Sequence, residues 1–134
     1  MSNPYGSTTG TTGREGRPLM QDLMSFDLAA EAATLREEEE FTRGDRNSRT
    51  LAKDADFRVL LSVLRPGAEL DEQDGDARAS IQVLDGRAVL RLQDEQAELK
   101  AWQMAVVDAG QPWTLRASSE CTVLLTLAWP RGLR

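Results

Sequence analysis

The hydrophobic pattern of the chain changes twice and divides it into three stretches. Residues 1–18 are mostly Gly, Ser and Thr with almost no apolar side chains. Such a composition cannot offset the entropy cost of ordering a backbone. We therefore expect a disordered N-terminal tail at residues 1–18, a helical lead-in at residues 19–45 and a β-rich domain at residues 46–134.

A helical period begins after Asp27, which is placed as an N-cap, and apolar residues recur at intervals of four and three residues from Leu28 to Leu35. The pattern predicts one short amphipathic helix of three or four turns that ends at Gly44. The four glutamates at positions 37–40 are interpreted as a solvated face, because consecutive helical residues point in different directions and do not converge on one cation.

After Gly44 the period changes to that of β-strands. The segment from Phe57 to Arg65 is apolar on both faces, which predicts a strand buried from both sides. Asp85 and Gly86 separate two alternating runs and predict a hairpin whose type I′ turn has positive φ at both residues. Strands are predicted at residues 48–53, 57–65, 68–70, 79–84, 87–93, 97–101, 104–107, 113–117 and 121–129. This succession predicts an all-β barrel or a double-sheet jelly roll.

Composition limits the possible functions. The 134 residues fit one domain, and 16 basic against 22 acidic residues give a net charge of -6, which argues against nucleic acid and anionic membranes as partners. The N-terminus lacks the apolar core of a signal peptide, so we expect a cytoplasmic protein. The chain has no histidine, which removes most routes to metal binding and general-base catalysis. The single cysteine, Cys121, is interpreted as a buried, inert thiol.

A family resemblance is carried by the order of the motifs between residues 57 and 130. A strand, a Pro-Gly turn, an acidic loop, the run SIQVLDG, a segment ending in AGQPW and a closing strand TVLLTLAW follow one another. In this order they resemble a small bacterial single-domain cupin, and the preceding helix and strand resemble the lead-in of such proteins. The resemblance implies a cupin-type, RmlC-like jelly-roll β-barrel.

The first cupin signature, G-x5-H-x-H-x3-E-x6-G, fits with its spacing intact. Gly67 and Gly86 stand at its two ends, Gln73 and Gly75 stand at the histidine positions, and Ala79 stands at the glutamate position. The surrounding acidic loop lacks the residue order of a calcium loop and is interpreted as a solvated turn at the barrel rim.

The second signature, G-x5-P-x-G-x2-H-x3-N, keeps Gly110 and has Trp102 and Asp108 at its first Gly and Pro. Trp113 stands at its histidine and Ala117 at its asparagine. All four metal-ligand positions of the family are therefore replaced. We expect no metal and no cofactor, so the metal-dependent activities of the family are not carried over.

Strand alternation predicts an apolar barrel lumen, either filled with Trp113 as a plug or open with Trp113 as a stacking wall. The residues assigned to that lumen are Ala79, Ile81, Val83, Trp113, Leu115 and Ala117. The other two tryptophans, Trp102 and Trp129, are interpreted as core or interface packing.

Three functions follow from this interpretation. The first is a non-enzymatic binding or regulatory module that holds a small apolar or aromatic ligand at the barrel mouth, at Gln73, Gly75, Ala79 and Trp113. The second is a structural or interaction homodimer with a filled barrel, because open sheet edges favour pairing. The third is a metal-independent lyase or isomerase that uses Glu72 or Asp74 as acid or base.

Overall fold

The computed structural model describes residues 21–71 and 75–130, so the predicted disordered tail lies outside the described residues. Within these ranges, two short helices precede nine β-strands. The helices are α1 (Leu28–Glu37) and α2 (Glu39–Thr42). The strands are β1 (Arg46–Asp54), β2 (Phe57–Leu64), β3 (Glu69–Asp71), β4 (Arg78–Asp85), β5 (Arg87–Arg91), β6 (Gln96–Lys100), β7 (Gln103–Val107), β8 (Thr114–Ala117) and β9 (Cys121–Ala128). The predicted all-β class with a short N-terminal helix is confirmed.

The strands form two antiparallel sheets of a jelly roll. A five-stranded sheet has the order β1-β2-β9-β4-β7, and a four-stranded sheet has the order β3-β8-β5-β6. Inward-facing apolar side chains of both sheets form one continuous core. The residues predicted to face the lumen belong to this core, namely Ala79, Ile81, Val83, Trp113, Leu115 and Ala117.

The predicted hairpin at Asp85 and Gly86 is wrong. Strand β4 pairs with β7 and β9, whereas β5 pairs with β6 and β8, so the chain crosses here from one sheet to the other. Only Gly86 has a positive φ, of 82°. Glycine is required there because a Cβ would also collide with the backbone carbonyl oxygen of Glu120 and with Cys121. The turn signal was local, whereas both partners of β4, the strands β7 and β9, follow much later in the chain.

Strand β2 is covered on both sides, as its pattern predicted. Leu61 and Val63 pack with Leu35 of α1 on the outer side of the sheet. Leu60 and Leu64 contact the core between the two sheets. Apolar residues on both faces of this strand therefore reflect two different packing layers.

The helix begins as predicted but ends early. The Asp27 side chain accepts a hydrogen bond from the backbone N–H of Ala30, which confirms the N-cap. Helix α1 ends at Glu37, and Glu38 takes an extended conformation with φ −78° and ψ 155°. The predicted single helix reaching Gly44 is therefore interrupted and continues only as the short α2.

Glu38 explains the interruption, because its side chain is held by the first strand. The amide of Asn47 donates to Glu38 Oε1 over 2.9 Å, and the Arg49 guanidinium donates to Oε2. The hydrogen bond from Asn47, followed by that from Arg49, lowers the pKa of the Glu38 carboxyl. The interpretation of glutamates 37–40 as an entirely solvated face is thus wrong at Glu38.

Candidate functional site

The four positions predicted to hold a ligand lie in different environments. Gln73, together with the acid/base candidates Glu72 and Asp74, lies outside the described residues. Gly75 is exposed, and its carbonyl oxygen accepts a hydrogen bond from the backbone N–H of Gly110. Ala79 and Trp113 are buried, with exposed fractions of 1% and 4%. A ligand-binding role for these positions stays a prediction.

Trp113 fills part of the lumen. Its side chain packs into the core that also contains Ala79 and Leu115. Its indole Nε1–H group is buried and has no hydrogen-bond partner among the described residues. Outside it lies a shallow hollow lined by Asp71, Arg91, Leu92, Gln93, Pro112, Trp113 and Thr114.

A cavity of about 260 Å³ lies between the two sheets, beside the edge strands β1 and β3. Its wall on the five-stranded sheet comes from alternate residues of β1, β2 and β9, because every second side chain of a strand points inward. Its opposite wall comes from β3. The lining residues are Arg46, Ser48, Arg58, Leu60, Ser62, Glu69, Leu70, Asp71, Leu125, Leu127 and Trp129.

Arg58 is the most unusual residue of this cavity. It is half-buried, and its Nε–H group is buried without a hydrogen-bond partner among the described residues. The guanidinium carbon lies 5.3 Å from the ring centroid of Trp129, a cation–π distance. The aromatic ring therefore stabilises the charge, while the buried Nε–H group has no acceptor among the described residues.

Two serines and a second arginine complete the polar part of the wall. The hydroxyl oxygens of Ser48 and Ser62 are 2.6 Å apart, and this bond uses one of their two hydrogens. Arg46 Nη1 donates to the backbone carbonyl oxygen of Glu69 over 2.7 Å, which links β1 to β3. The Glu69 carboxylate lies 3.8 Å from the Arg116 guanidinium. The donors are thus concentrated on the wall of the five-stranded sheet.

The sequence did not predict this cavity, because the site was predicted only from the positions that align with metal ligands in the cupin motifs. A signal was nevertheless present in the sequence. Arg58 is the one charged residue in the apolar run FRVLLSVL, and it shares its period with Leu60, Ser62 and Leu64, which face the interior. A charged residue on the inward face of a core strand indicates a polar requirement inside.

Cys121 has the properties that were predicted for it. The residue is fully buried at the start of β9, and burial raises the pKa of its thiol to about 11. At neutral pH the thiol is therefore protonated and a poor nucleophile.

The described residues contain neither a metal-binding group of side chains nor a membrane-spanning helix. His, Cys, Asp and Glu side chains in residues 21–71 and 75–130 form no group of three or more that could hold a metal ion. In the same residues, no helix is long and apolar enough to cross a membrane.

Comparison with solved structures identifies the fold. A conserved protein of unknown function from Streptococcus pyogenes has a TM-score of 0.67 and 24% identity, and the similarity covers 84% of this chain and 93% of that one. The cupin domain of an XRE-family transcriptional regulator from Enterobacter cloacae has a TM-score of 0.58 and 19% identity, covering 65% of this chain and 99% of the domain.

A salicylate 1,2-dioxygenase variant from Pseudoaminobacter salicylatoxidans has a TM-score of 0.66 and 17% identity, and the similarity covers 77% of this chain but 34% of the enzyme. No family model matches the sequence, and no curated protein sequence matches it. The chain has the cupin fold, as the sequence motifs predicted. Since the same fold occurs in a regulator and in a dioxygenase, it does not determine the function.

Proposed function

We propose that this cupin-fold protein is a non-enzymatic binding module that holds a small carboxylate with an apolar body in the cavity between its sheets. The observation that carries the proposal is the Nε–H group of Arg58, which is buried on the cavity wall without a partner among the described residues. An unsatisfied buried donor costs about 1–3 kcal/mol, and a bound carboxylate oxygen would remove that cost.

The chemistry of the wall favours a carboxylate over a neutral ligand. A guanidinium presents its N–H groups as a planar fork that matches two carboxylate oxygens, and such charge-assisted bonds are stronger than neutral ones. The unused hydroxyl hydrogen of the Ser48 and Ser62 pair supplies a further donor. An apolar ligand body would contact the four leucines that line the cavity, Leu60, Leu70, Leu125 and Leu127.

The size of the cavity restricts the ligand. Ligand sites usually measure about 300–1,000 Å³. At about 260 Å³ this cavity is slightly smaller, so we expect a ligand the size of a single aromatic ring or a short aliphatic acid. The proposal therefore keeps the small ligand predicted from the sequence but adds an acidic group to it.

A binding role fits the residues better than catalysis. The chain has no histidine, and the raised pKa of the buried Cys121 thiol makes this group a poor nucleophile. A metal-independent lyase or isomerase would depend on Glu72 or Asp74, which lie outside the described residues. A structural homodimer is the second candidate, and the exposed apolar side chains of β7 favour it.

Benzoate and its uncharged counterpart benzamide are suitable probes. We expect benzoate to raise the melting temperature and to change the tryptophan fluorescence saturably, because Trp129 lies on the cavity wall, whereas benzamide should act far more weakly. Arg58→Gln should abolish the benzoate response. Arg87→Gln, which removes an exposed arginine from another part of the chain, is the matched control.

Trp113→Phe separates the proposed cavity from the barrel mouth. Because Trp113 does not line the cavity, this variant should bind benzoate as the wild type does. Loss of binding in Trp113→Phe, together with unchanged binding in Arg58→Gln, would move the ligand to the position predicted from the sequence. Absence of saturable binding by benzoate and by short aliphatic acids in the wild type would overturn the proposal.

The expected absence of metal has its own test. Gly75 and Ala79 offer no side-chain ligand atom, and the Trp113 indole is only a donor. Elemental analysis of protein purified without chelator should therefore find no stoichiometric iron, manganese, nickel or zinc. Stoichiometric metal would contradict this part of the proposal without bearing on the Arg58 cavity.

A further inference from the structure

The four edge strands of the two sheets differ in charge. Exposed strand edges attract other strands, and proteins usually protect them with charged residues, proline or bulges. Strands β1, β3 and β6 each carry at least two charged residues, whereas β7 (Gln103–Val107) has the sequence QMAVV and carries none. Edge β7 therefore lacks the charge that protects the other three.

The outward side of β7 is also apolar. Trp102, Met104 and Val106 alternate along the chain and have exposed fractions of 85%, 50% and 66%. We call these three residues the β7 stripe. Trp102 therefore does not belong to the core. The alternative interpretation, that it packs at an interface, stays a prediction. A contiguous apolar surface of this kind is typical of an interaction site.

The turn before β7 holds Trp102 outward. Its φ of 72° lies in the left-handed region, which bulky residues rarely adopt. Its backbone N–H donates to the carbonyl oxygen of Val83 over 2.7 Å, so the turn is tied to the neighbouring strand. The position of the indole is therefore set by an ordered backbone.

The other outward half of the same sheet is covered by the chain itself. Leu61 and Val63 of β2 pack against α1, with Leu124 of β9 at the margin. The β7 stripe has no such cover among the described residues. One sheet thus has an apolar outer surface at both ends, and helix α1 covers one of them.

We infer that the β7 edge pairs with the β7 edge of a second copy, antiparallel and about a twofold axis. Two identical strands can form such a self-complementary interface, since each contributes the same surface. For a chain with a net charge of -6, the uncharged edge is also where two copies approach with the least repulsion. A twofold axis near Ala105 would place Met104 of each copy opposite Val106 of the other.

The interface should be a weak one. Stable dimers bury about 800 Å² on each partner, and interfaces below about 1,200 Å² in total are usually transient. One five-residue strand and three apolar side chains are a small surface. We therefore expect a reversible monomer–dimer equilibrium that depends on protein concentration.

Sedimentation velocity on the full chain across a wide concentration range tests the inference. The wild type should shift towards dimer as concentration rises, and Val106→Lys should remain monomeric because it places like charges at the twofold interface. Leu23→Lys, which adds the same charge at another exposed apolar side chain, should dimerise like the wild type. Circular dichroism confirms that each variant is folded.

Trp102 provides a second measurement, because Trp113 and Trp129 are buried. Acrylamide should quench an exposed tryptophan at low protein concentration, and this quenchable fraction should fall as the dimer forms. A wild type that stays monomeric and fully quenchable at every concentration would overturn the inference, whatever other partner the stripe binds. A Val106→Lys variant that dimerises like the wild type would also overturn it.

Discussion

The two ends of the space between the sheets are built differently, although the same strand contributes to both. Towards β4, Ile81 packs in one core with Cys121 and Trp113. Towards the edge strands β1 and β3, Leu125 of β9, which pairs with Ile81, lines the cavity beside Arg58 instead. We call these the packed end and the open end.

The difference shows how one fold can be filled with side chains in one place and keep a cavity in another. Of the three described positions that correspond to metal ligands in the cupin motifs, Ala79 and Trp113 lie at the packed end, whereas Gly75 is exposed. The unused donor of Arg58 lies at the open end. The bulky indole of Trp113 fills the space around it, whereas the open end is bounded by the edge strands β1 and β3 and keeps a cavity.

The largest expected difference between the two ends is the loss of free energy of unfolding when a large apolar side chain is truncated. Ile81→Ala removes a fully buried side chain at the packed end, so the free energy of unfolding should fall by about 2–5 kcal/mol. For Leu127→Ala, we expect the free energy of unfolding to fall by about 2 kcal/mol or less. The Leu127 side chain already faces a cavity, so its truncation removes fewer contacts. Urea unfolding of both variants measures the difference.

Leu61→Ala provides a reference for that measurement. Leu61 is fully buried between the sheet and helix α1, away from both ends of the lumen. Its loss should also cost roughly 2–5 kcal/mol. Equal costs for Ile81→Ala and Leu127→Ala would contradict the distinction between a packed and an open end.

The alkylation rates of two thiols, one at each end, measure how easily a reagent reaches the two ends. Burial raises the pKa of Cys121 from 9.0 to about 11, so at pH 8 its thiolate population should be about 100-fold lower than that of an unperturbed thiol. A Ser48→Cys variant adds a thiol at the mouth of the open end. With iodoacetamide, we expect rapid alkylation at position 48 and slow alkylation at Cys121, measured by mass spectrometry of peptides.

The pH dependence of this reaction has a defined sign. Because the folded-state pKa of Cys121 is raised, the protonated thiol is favoured in the folded protein, and alkylation should accelerate as pH rises towards about 11. The associated stability is present below the unfolded-state pKa and is lost as pH rises. Equal alkylation rates at Cys121 and at position 48 in the native protein would show that the packed end is accessible.

Much of the fold could be predicted from the sequence because the strands are short and clearly separated. Every predicted strand end lies within two residues of the observed one. The errors concern long-range pairing. Asp85 and Gly86 have the local signature of a hairpin, yet their strands belong to different sheets, and Glu38 ends the helix because of contacts with Asn47 and Arg49 on β1.

The cavity could not be predicted in the same way. The sequence motifs predicted that Ala79 and Trp113 face the interior, and both residues are buried. The cavity, in contrast, combines alternate residues of β1, β2, β3 and β9, which the sequence does not bring together. Arg58 could be recognised as unusual in its strand, but its contact with Trp129 depends on the sheet register.

The smallest expected effect on stability is the most informative about function. Arg58→Met replaces the guanidinium by an apolar side chain of similar length, removing an unsatisfied buried donor together with its cation–π contact. These terms oppose each other, at about 1–3 kcal/mol for the donor and about 0.5–2 kcal/mol for the contact. We expect the free energy of unfolding to change by less than about 1 kcal/mol, while benzoate binding is lost. A fall of several kcal/mol would instead identify Arg58 as a structural residue of the open end, and the cavity would then lose its main argument for a carboxylate ligand.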